Sequence, residues 1–214
     1  MLDKILAGRS VLVLGAHPDD EMGCGSTIAK LVDSGATVHH YYFSPCTESL
    51  ISIGLTPSQL QEECQQSRET LGIKLENCGN FEYPVRYLPK YRQDILENLT
   101  DLKKRINPGI VFIPNSNDIH QDHHCIYEEA LRAFKHTTML GYELPWNTMT
   151  MNHDCLIEIN EKYLKTKIDS IKCYKSQMHR NYANIEFFES LARVRGVQAN
   201  TKYAECFEVV RLLL

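Results

Sequence analysis

The sequence predicts an α/β domain with parallel strands, and three observations carry that reading. Two short runs, Val11-Leu12-Val13-Leu14 and Ile110-Val111-Phe112-Ile113, are wholly apolar, as strands buried on both faces are. Each run is followed by a polar cluster and then by helical spacing. The chain up to Phe43 already reads strand, helix, strand, a unit that implies a right-handed parallel crossover.

The elements follow in order. Residues 10–15 form the first strand, and Gly23 to Asp33 a helix with Ile28, Leu31 and Val32 on one side and Gly35 as its cap. Thr37 to Phe43, rich in β-branched and aromatic residues, is the second strand. Residues 44–56 read as one long connection, a length often functional in a compact domain. Thr56-Pro57 supplies an N-cap and a first-turn proline for a helix running to Leu71, which Gly72 closes. Phe81-Glu82-Tyr83 reads as a short strand and residues 84–89 as irregular. Arg92 to Ile106 is amphipathic, with Ile95, Leu96, Leu99, Leu102 and Ile106 at helical spacing, and Asn107-Pro108-Gly109 stops it. After the strand at 110–113, helical spacing resumes through Phe134, and Thr138 to Tyr142 reads as a strand. Leu156–Ile159 is a further strand, 161–174 and 185–194 are helices, and 202–213 is a last strand. There are no repeats, low-complexity tracts or linkers, so residues 1–214 read as a single domain.

Composition narrows the function. Apolar residues make up 43% and charged residues 23%, ordinary for a globular protein with a core. The net charge of −4 and the lack of a long Lys/Arg run argue against a nucleic-acid surface. The one basic cluster, Lys103-Lys104-Arg105, falls in the last turn of a helix, where it complements the dipole. No window approaches the ~20 apolar residues of a membrane span, and Met1-Leu2-Asp3-Lys4 leads into no signal-type apolar stretch. The eight cysteines are scattered singly with no C-x-x-C pair, so they read as reduced thiols in a cytoplasmic protein. Cys24 and Cys125, near the polar clusters, read as small buried hydrophobes.

The chemistry is concentrated in those clusters. Gly15-Ala16-His17-Pro18-Asp19-Asp20-Glu21 follows the first apolar strand, at the end where open α/β sheets bind ligands. One histidine with three carboxylates suits a divalent metal such as zinc. The second cluster, Asn117-Asp118-Ile119-His120-Gln121-Asp122-His123-His124, follows the strand at 110–113. If the two strands are neighbours, their tips meet. His17 and Asp20 could then share an ion with a third ligand from the second tip, leaving one position open to water, as in catalytic zinc sites. Helical geometry alone leaves His123 and His124 both open as that ligand, because i+3 and i+4 from His120 share its face. Glu21 reads equally well as a support of the metal site or as a carboxylate answering a helix dipole. His39, His40, His136, His153 and His179 have no ligand-spaced partner and read as surface or hydrogen-bonded residues. A dinucleotide site is the weaker alternative, since Gly23-Cys24-Gly25 lacks a third glycine.

Ala16-His17-Pro18-Asp19-Asp20-Glu21 with His120-Gln121-Asp122-His123 resembles the PIG-L/LmbE-like zinc-dependent N-deacetylases, and weaker echoes at Glu63, Leu71-Gly72-Ile73, Ser176-Gln177 and 204–208 extend the resemblance along the chain. The resemblance implies an LmbE-like, Rossmann-like three-layer sandwich with a mostly parallel central sheet. It also implies zinc, or another divalent ion, on His17, Asp20 and His123, with Asp19 as general base. His120 would stabilise the tetrahedral intermediate or protonate the amine. The substrate would be a small N-acetylated sugar, either GlcNAc-type or nucleotide-linked. Amidases for other N-acyl groups and a non-catalytic metal- or sugar-binding protein are the alternatives, and a homo-oligomer is compatible with the sequence. One departure is Leu60, where many members carry a substrate-binding arginine three residues before the glutamate matching Glu63. Arg86, Arg92, Tyr142, Glu143 and Trp146 lie in the connections expected on the metal side and are the candidate substrate contacts.

Overall fold

The computed structural model describes residues 8–213. The leader-free reading of Met1–Lys4 and the last apolar residue, Leu214, lie outside them. The strands are β1 (Ser10–Gly15), β2 (Thr37–Tyr42), β3 (Cys78–Asn80), β4 (Ile110–Pro114), β5 (Thr138–Tyr142), β6 (Cys155–Ile159) and β7 (Tyr203–Arg211). The helices are α1 (Gly25–Asp33), α2 (Thr47–Ser52), α3 (Gln59–Thr70), α4 (Arg92–Ile106), α5 (Gln121–Ala133), α6 (Glu161–Ile171) and α7 (Ile185–Gln198).

The strands form one sheet in the order β3-β2-β1-β4-β5-β7-β6. The five from β3 to β5 are parallel, and β7 runs antiparallel to both β5 and β6. The mostly parallel α/β sheet is therefore as expected. From β1 the chain builds outward through β2 and β3, then returns to the other side of β1 for β4 and β5. The order reverses between β1 and β4, whose registers pair Val11 with Ile110 and Val13 with Phe112. A reversal of this kind opens a crevice at the carboxyl ends of the two strands.

The alternation of β1 and β4 builds the three layers. Val11, Val13, Ile110 and Phe112 face a core completed by Ile28 and Leu31 of α1, Leu60 and Cys64 of α3, Ile168 of α6 and Phe188 of α7. Leu12, Leu14, Val111 and Ile113 face the other core, with Ile95, Leu99 and Leu102 of α4 and Ile126 and Ala130 of α5. Continuous apolar strands were readable from sequence because both sides of them are covered.

Several boundaries differ from expectation. The 44–56 connection contains α2, which buries Leu50 and ends before Gly54 at φ +77°. Six residues with one buried position are too few to show helical periodicity. The following helix begins at Gln59, so Thr56 is not its cap; instead Ser58 Oγ bonds the Glu62 side chain. The short edge strand is 78–80 rather than 81–83; Phe81 and Tyr83 donate their amides to Tyr42 and Phe43 without extending the ladder. Helix α7 runs to Gln198, beyond the expected 194. All eight cysteines are free thiols, and Cys24 and Cys125 are buried. No described helix is long and apolar enough to cross a membrane.

Candidate active site

The two polar clusters meet in the crevice between β1 and β4. After Gly15 the chain turns through a short 3-10 segment, Asp20–Gly23, which directs successive side chains apart. Asp20 folds back so that its Oδ2 accepts the His17 amide at 2.9 Å, leaving Oδ1 for the crevice. The second cluster opens α5, with His120 at its N-cap accepting the Asp122 amide through Nδ1 at 3.1 Å. One turn on, His123 points at the first cluster.

His17 Nδ1 and His123 Nε2 lie 3.1 Å apart. Asp20 Oδ1 is 3.2 Å from His123 Nε2 and 3.7 Å from His17 Nδ1. Ligands about 2.1 Å from a tetrahedral ion would stand roughly 3.4 Å from one another, so the three donors fit a divalent metal. The far side of each ring agrees. His17 Nε2 donates to Asp122 Oδ2 at 3.1 Å, and His123 Nδ1 donates to Asp118 Oδ2 at 2.7 Å. Each carboxylate fixes a tautomer, so the remaining lone pairs of the two rings converge beside Asp20. His120 is also close: one ring nitrogen each from His17, His120 and His123 can be chosen within 4.8 Å of one another. Its ring stacks on His123 with centroids 4.7 Å apart, but its Nδ1 is already engaged. His124, which helical spacing had left open, faces Glu128 at 3.4 Å and has a half-exposed side chain, away from the cluster.

The charge states follow the contacts. Burial pulls the His17 imidazole down, but Asp20 and Asp122 overcome it and raise it to about 9. Burial likewise opposes the charge on His123, yet Asp20 and Asp118 raise it to about 10. Burial opposes ionisation of Asp20, but His123 and His17 hold its carboxyl well below the ordinary range. Asp19 goes the other way: burial and the neighbouring Asp20 raise it. Its carboxylate lines the cleft and bonds only its own amide among the described residues. His120 is pushed down to about 4, by burial and then by His17 and His123.

Glu21, undecided in the sequence, turns away from the donors. Its Oε1 accepts from Ser67 Oγ at 2.6 Å and Tyr174 Oη at 2.5 Å, and burial raises its carboxyl to about 7. The same Tyr174 hydroxyl lies 2.8 Å from the Pro18 carbonyl, so Glu21 ties the first motif to α3 and to the end of α6. That is a supporting role.

The donors open into a cleft of about 280 Å³. Three stretches line it as expected: Cys46, Ser49, Leu50 and Ile53; Val85 and Arg86; Trp146 and Asn147. Leu60 lines it as well. Of the candidate substrate contacts, Arg86 and Trp146 are in place and three are not. Arg92 begins α4, and its guanidinium pairs with Glu128 and Glu129 of α5, at 3.1 and 2.5 Å. Tyr142 is fully buried under β1, its hydroxyl donating to the Leu14 carbonyl at 3.0 Å, and it packs so closely on Gly23 that a Cβ there would stand 2.6 Å from its ring. Glu143 is held by Arg195 of α7. Trp146 has one face covered by Tyr182, stacked at 4.2 Å.

The sequence reading missed a whole wall. Gln177, Arg180 and Tyr182, between α6 and α7, line the cleft. Glu63 of α3 anchors this segment: its buried carboxylate accepts the Ser176 amide at 2.9 Å and the Ser176 hydroxyl at 2.5 Å. The paired echo of Glu63 and Ser176-Gln177 was the one available signal. Glu63→Ala is expected to cost about 1–3 kcal/mol in urea unfolding, because the Ser176 amide loses its buried acceptor, and to raise KM by loosening Arg180 and Tyr182. An unchanged midpoint with an unchanged KM would show that the segment is held otherwise.

With this geometry in place, comparison with known proteins identifies the group. The family model described as PIG-L, GlcNAc-PI de-N-acetylase, matches residues 12–134, which is more than half of the chain and includes both clusters. The chain belongs to the PIG-L family. It is thus a hydrolytic N-deacetylase by class. It is 28% identical over 178 residues to the uncharacterized deacetylase YaiS of Escherichia coli K12, covering 78% of this chain and 91% of that protein. It is 29% identical over 224 residues to a diacetylchitobiose deacetylase of Thermococcus kodakarensis, covering 92% and 81%. Among solved structures, GalB, a 4-carboxy-2-hydroxymuconate hydratase from Pseudomonas putida KT2440, superposes with a TM-score of 0.77 at 22% identity, covering 96% of this chain and 98% of that one. That likeness speaks to the fold, which evidently hosts more than one reaction.

Proposed function

We propose that the protein is a zinc-dependent deacetylase that removes an N-acetyl group from an amino sugar or sugar conjugate. The metal ligands are His17, Asp20 and His123, the general base is Asp19, and His120 steadies the reacting carbonyl oxygen. The observation that carries this reading is the convergence of the His17 and His123 rings, each oriented from its far side by a carboxylate, beside Asp20 Oδ1, with the Asp19 carboxylate lining the cleft next to them. The name of the Thermococcus relative, which places an N-acetylated sugar in a protein of the same family, supports the substrate class.

A divalent ion held by His17, Asp20 and His123 would supply a more acidic water and a Lewis acid for the amide carbonyl. The chain does the rest. Asp19 accepts the proton of the attacking water, and its raised pKa brings it nearer to the amine that must later be protonated. His120 accepts the Asp122 amide through Nδ1, so its Nε2–H is the donor that meets the oxyanion. A neutral His120 donates on the side this role requires. Asp118 and Asp122 orient His123 and His17.

Two measurements test the reading. A screen of N-acetylated sugars and nucleotide sugars should release free amine with one of them, and a chelator should abolish the release. No turnover, with or without chelator, sinks the enzyme reading, and release of a longer acyl group instead of acetate would move it to an amidase. The apolar wall formed by Leu50, Ile53, Leu60 and Val85 is the observation that keeps that second reading in play.

The second measurement is proton release. In the metal-free protein, Asp20, Asp118 and Asp122 favour protons on the His17–His123 pair, raising the two rings to about 9 and about 10. Zinc needs both rings neutral, so loading must expel protons, and affinity must rise with pH up to that range. Calorimetry in two buffers of different ionisation enthalpy reads the release; none would exclude these rings as ligands. The same raised values stabilise the metal-free fold fully below the unfolded value of 6.5, a contribution lost as pH climbs through about 9 to 10.

A further inference from the structure

The protein is acidic overall, with a net charge of −4, yet two arginines line its cleft beside Asp19 and Asp20. Among the described residues, the cleft's only lysine or arginine side chains are Arg86 and Arg180, supplied by two separate segments. Three arginines outside the cleft are neutralised, Arg92 and Arg132 by Glu129 and Arg195 by Glu143. Neither Arg86 nor Arg180 has a carboxylate within salt-bridge distance among the described residues. The Arg86 guanidinium bonds only the Ser49 hydroxyl, at 2.8 Å. The Arg180 guanidinium lies over the Tyr182 ring at 5.7 Å, and its field reaches Asp19.

Arg86 is also held at a cost. Its φ is +69°, a left-handed conformation that a residue with a side chain adopts reluctantly. It persists because the backbone is fixed on both sides: its amide donates to Asp122 Oδ2 at 2.6 Å, and its carbonyl accepts from Gln121 Nε2 at 2.5 Å. Asp122 is the carboxylate that orients His17. The position of Arg86 is thus locked to the reacting centre by the residue that sets the His17 tautomer. Backbone strain kept in this way at a cleft points to a use for the side chain. Arg180 is fixed less tightly but by design as well, through Arg180 N to Gln177 O at 2.9 Å and the Glu63–Ser176 anchor just before it. Leu60 also lines the cleft and brings no charge.

We propose that Arg86 and Arg180 form an anion clamp, and that the sugar substrate carries a phosphate or carboxylate away from its N-acyl group. The inference rests on the deacetylase reading for the reacting end. The clamp gives a use to two guanidiniums that line one cleft beside a metal-type site without carboxylate partners among the described residues. A guanidinium meets either anion with paired donors, and the Trp146–Tyr182 stack gives the sugar ring an edge to lie against.

The test uses the zinc-loaded full chain with N-acetylglucosamine, its 6-phosphate, its 1-phosphate and N-acetylmuramic acid, the last supplying a carboxylate. At least one anionic sugar should exceed the neutral one by about tenfold or more in kcat/KM, chiefly through KM, as one charge-assisted hydrogen bond allows. The advantage should shrink between about 0.05 M and about 0.5 M salt. Arg180→Gln and Arg86→Gln should each reduce the anionic-to-neutral ratio by about tenfold. Which anion wins separates phosphate from carboxylate. Calorimetric binding of glucosamine 6-phosphate and glucosamine keeps the two readings apart. Preferential binding of the phosphate that Arg180→Gln removes, with no turnover of any sugar, upholds the clamp and sinks the deacetylase. Turnover of the neutral sugar with an anionic-to-neutral ratio near one overturns the clamp and leaves the deacetylase standing, as does a preference that survives in the double variant.

Discussion

Asp19→Asn is expected to lower turnover by about 10²–10⁴-fold, the usual worth of a positioned general base, while the protein keeps its zinc. The change is isosteric and removes the proton acceptor alone. Asp19 and Asp20 are adjacent and chemically identical, yet their surroundings divide the work. Asp20 is pinned by the His17 amide and faces His123 at 3.2 Å, so its charge is spent on the donor set. Asp19 bonds only its own amide and lines the cleft, and burial with the repulsion of Asp20 raises its affinity for a proton. Zinc content by mass spectrometry of the native protein and steady-state kinetics on the same preparation make the check. A wild-type rate would remove Asp19 from the base role; lost zinc would show that it belongs to the donor set.

The division between these two residues shows where sequence was informative. The strands β1 and β4 were visible because burial on both faces makes them uninterrupted apolar runs, and the polar clusters at their tips announced a site. That the tips meet depends on β4 returning beside β1, which no local pattern states. The family motif supplied what periodicity could not, namely a preference for His123 over His124; the structure independently turns His124 toward Glu128. The substrate wall was the least legible part. Arg92, Tyr142 and Glu143 were expected in the cleft because they lie in or near connections on the correct side, but side-chain direction decides. Arg92 starts a helix packed on α5, Tyr142 ends a strand with its ring turned under β1, and Glu143 turns toward α7. Gln177, Arg180 and Tyr182 went unnoticed because the segment is polar and aperiodic, and its anchor to Glu63 spans over a hundred residues of chain.

His17→Ala should abolish both zinc binding and turnover, and this double loss distinguishes it from Asp19→Asn. The ring contributes Nδ1 to the donor set, and its Nε2–H is what Asp122 Oδ2 accepts. Removing it leaves Asp20 and His123 as a two-donor remnant, below the three protein ligands of catalytic zinc sites. The Asp122 carboxylate then keeps the Arg86 and Leu88 amides but loses the ring, so the cleft wall should survive and the protein should still fold. Asp118→Asn is the graded counterpart. The His123 ring stays, but the carboxylate that fixes its tautomer is replaced by an amide able to present either end. Affinity for zinc should fall by about 10- to 100-fold, the usual worth of such an outer partner, with turnover recovered at saturating zinc. His120→Ala completes the set. If His120 acts on the carbonyl oxygen, that variant keeps zinc at full affinity and loses rate; if it is instead a ligand in place of Asp20, it loses zinc, and Asp20→Asn keeps it. Zinc titrations of the four variants therefore decide between the His-Asp-His set and the three-histidine set without reference to any substrate.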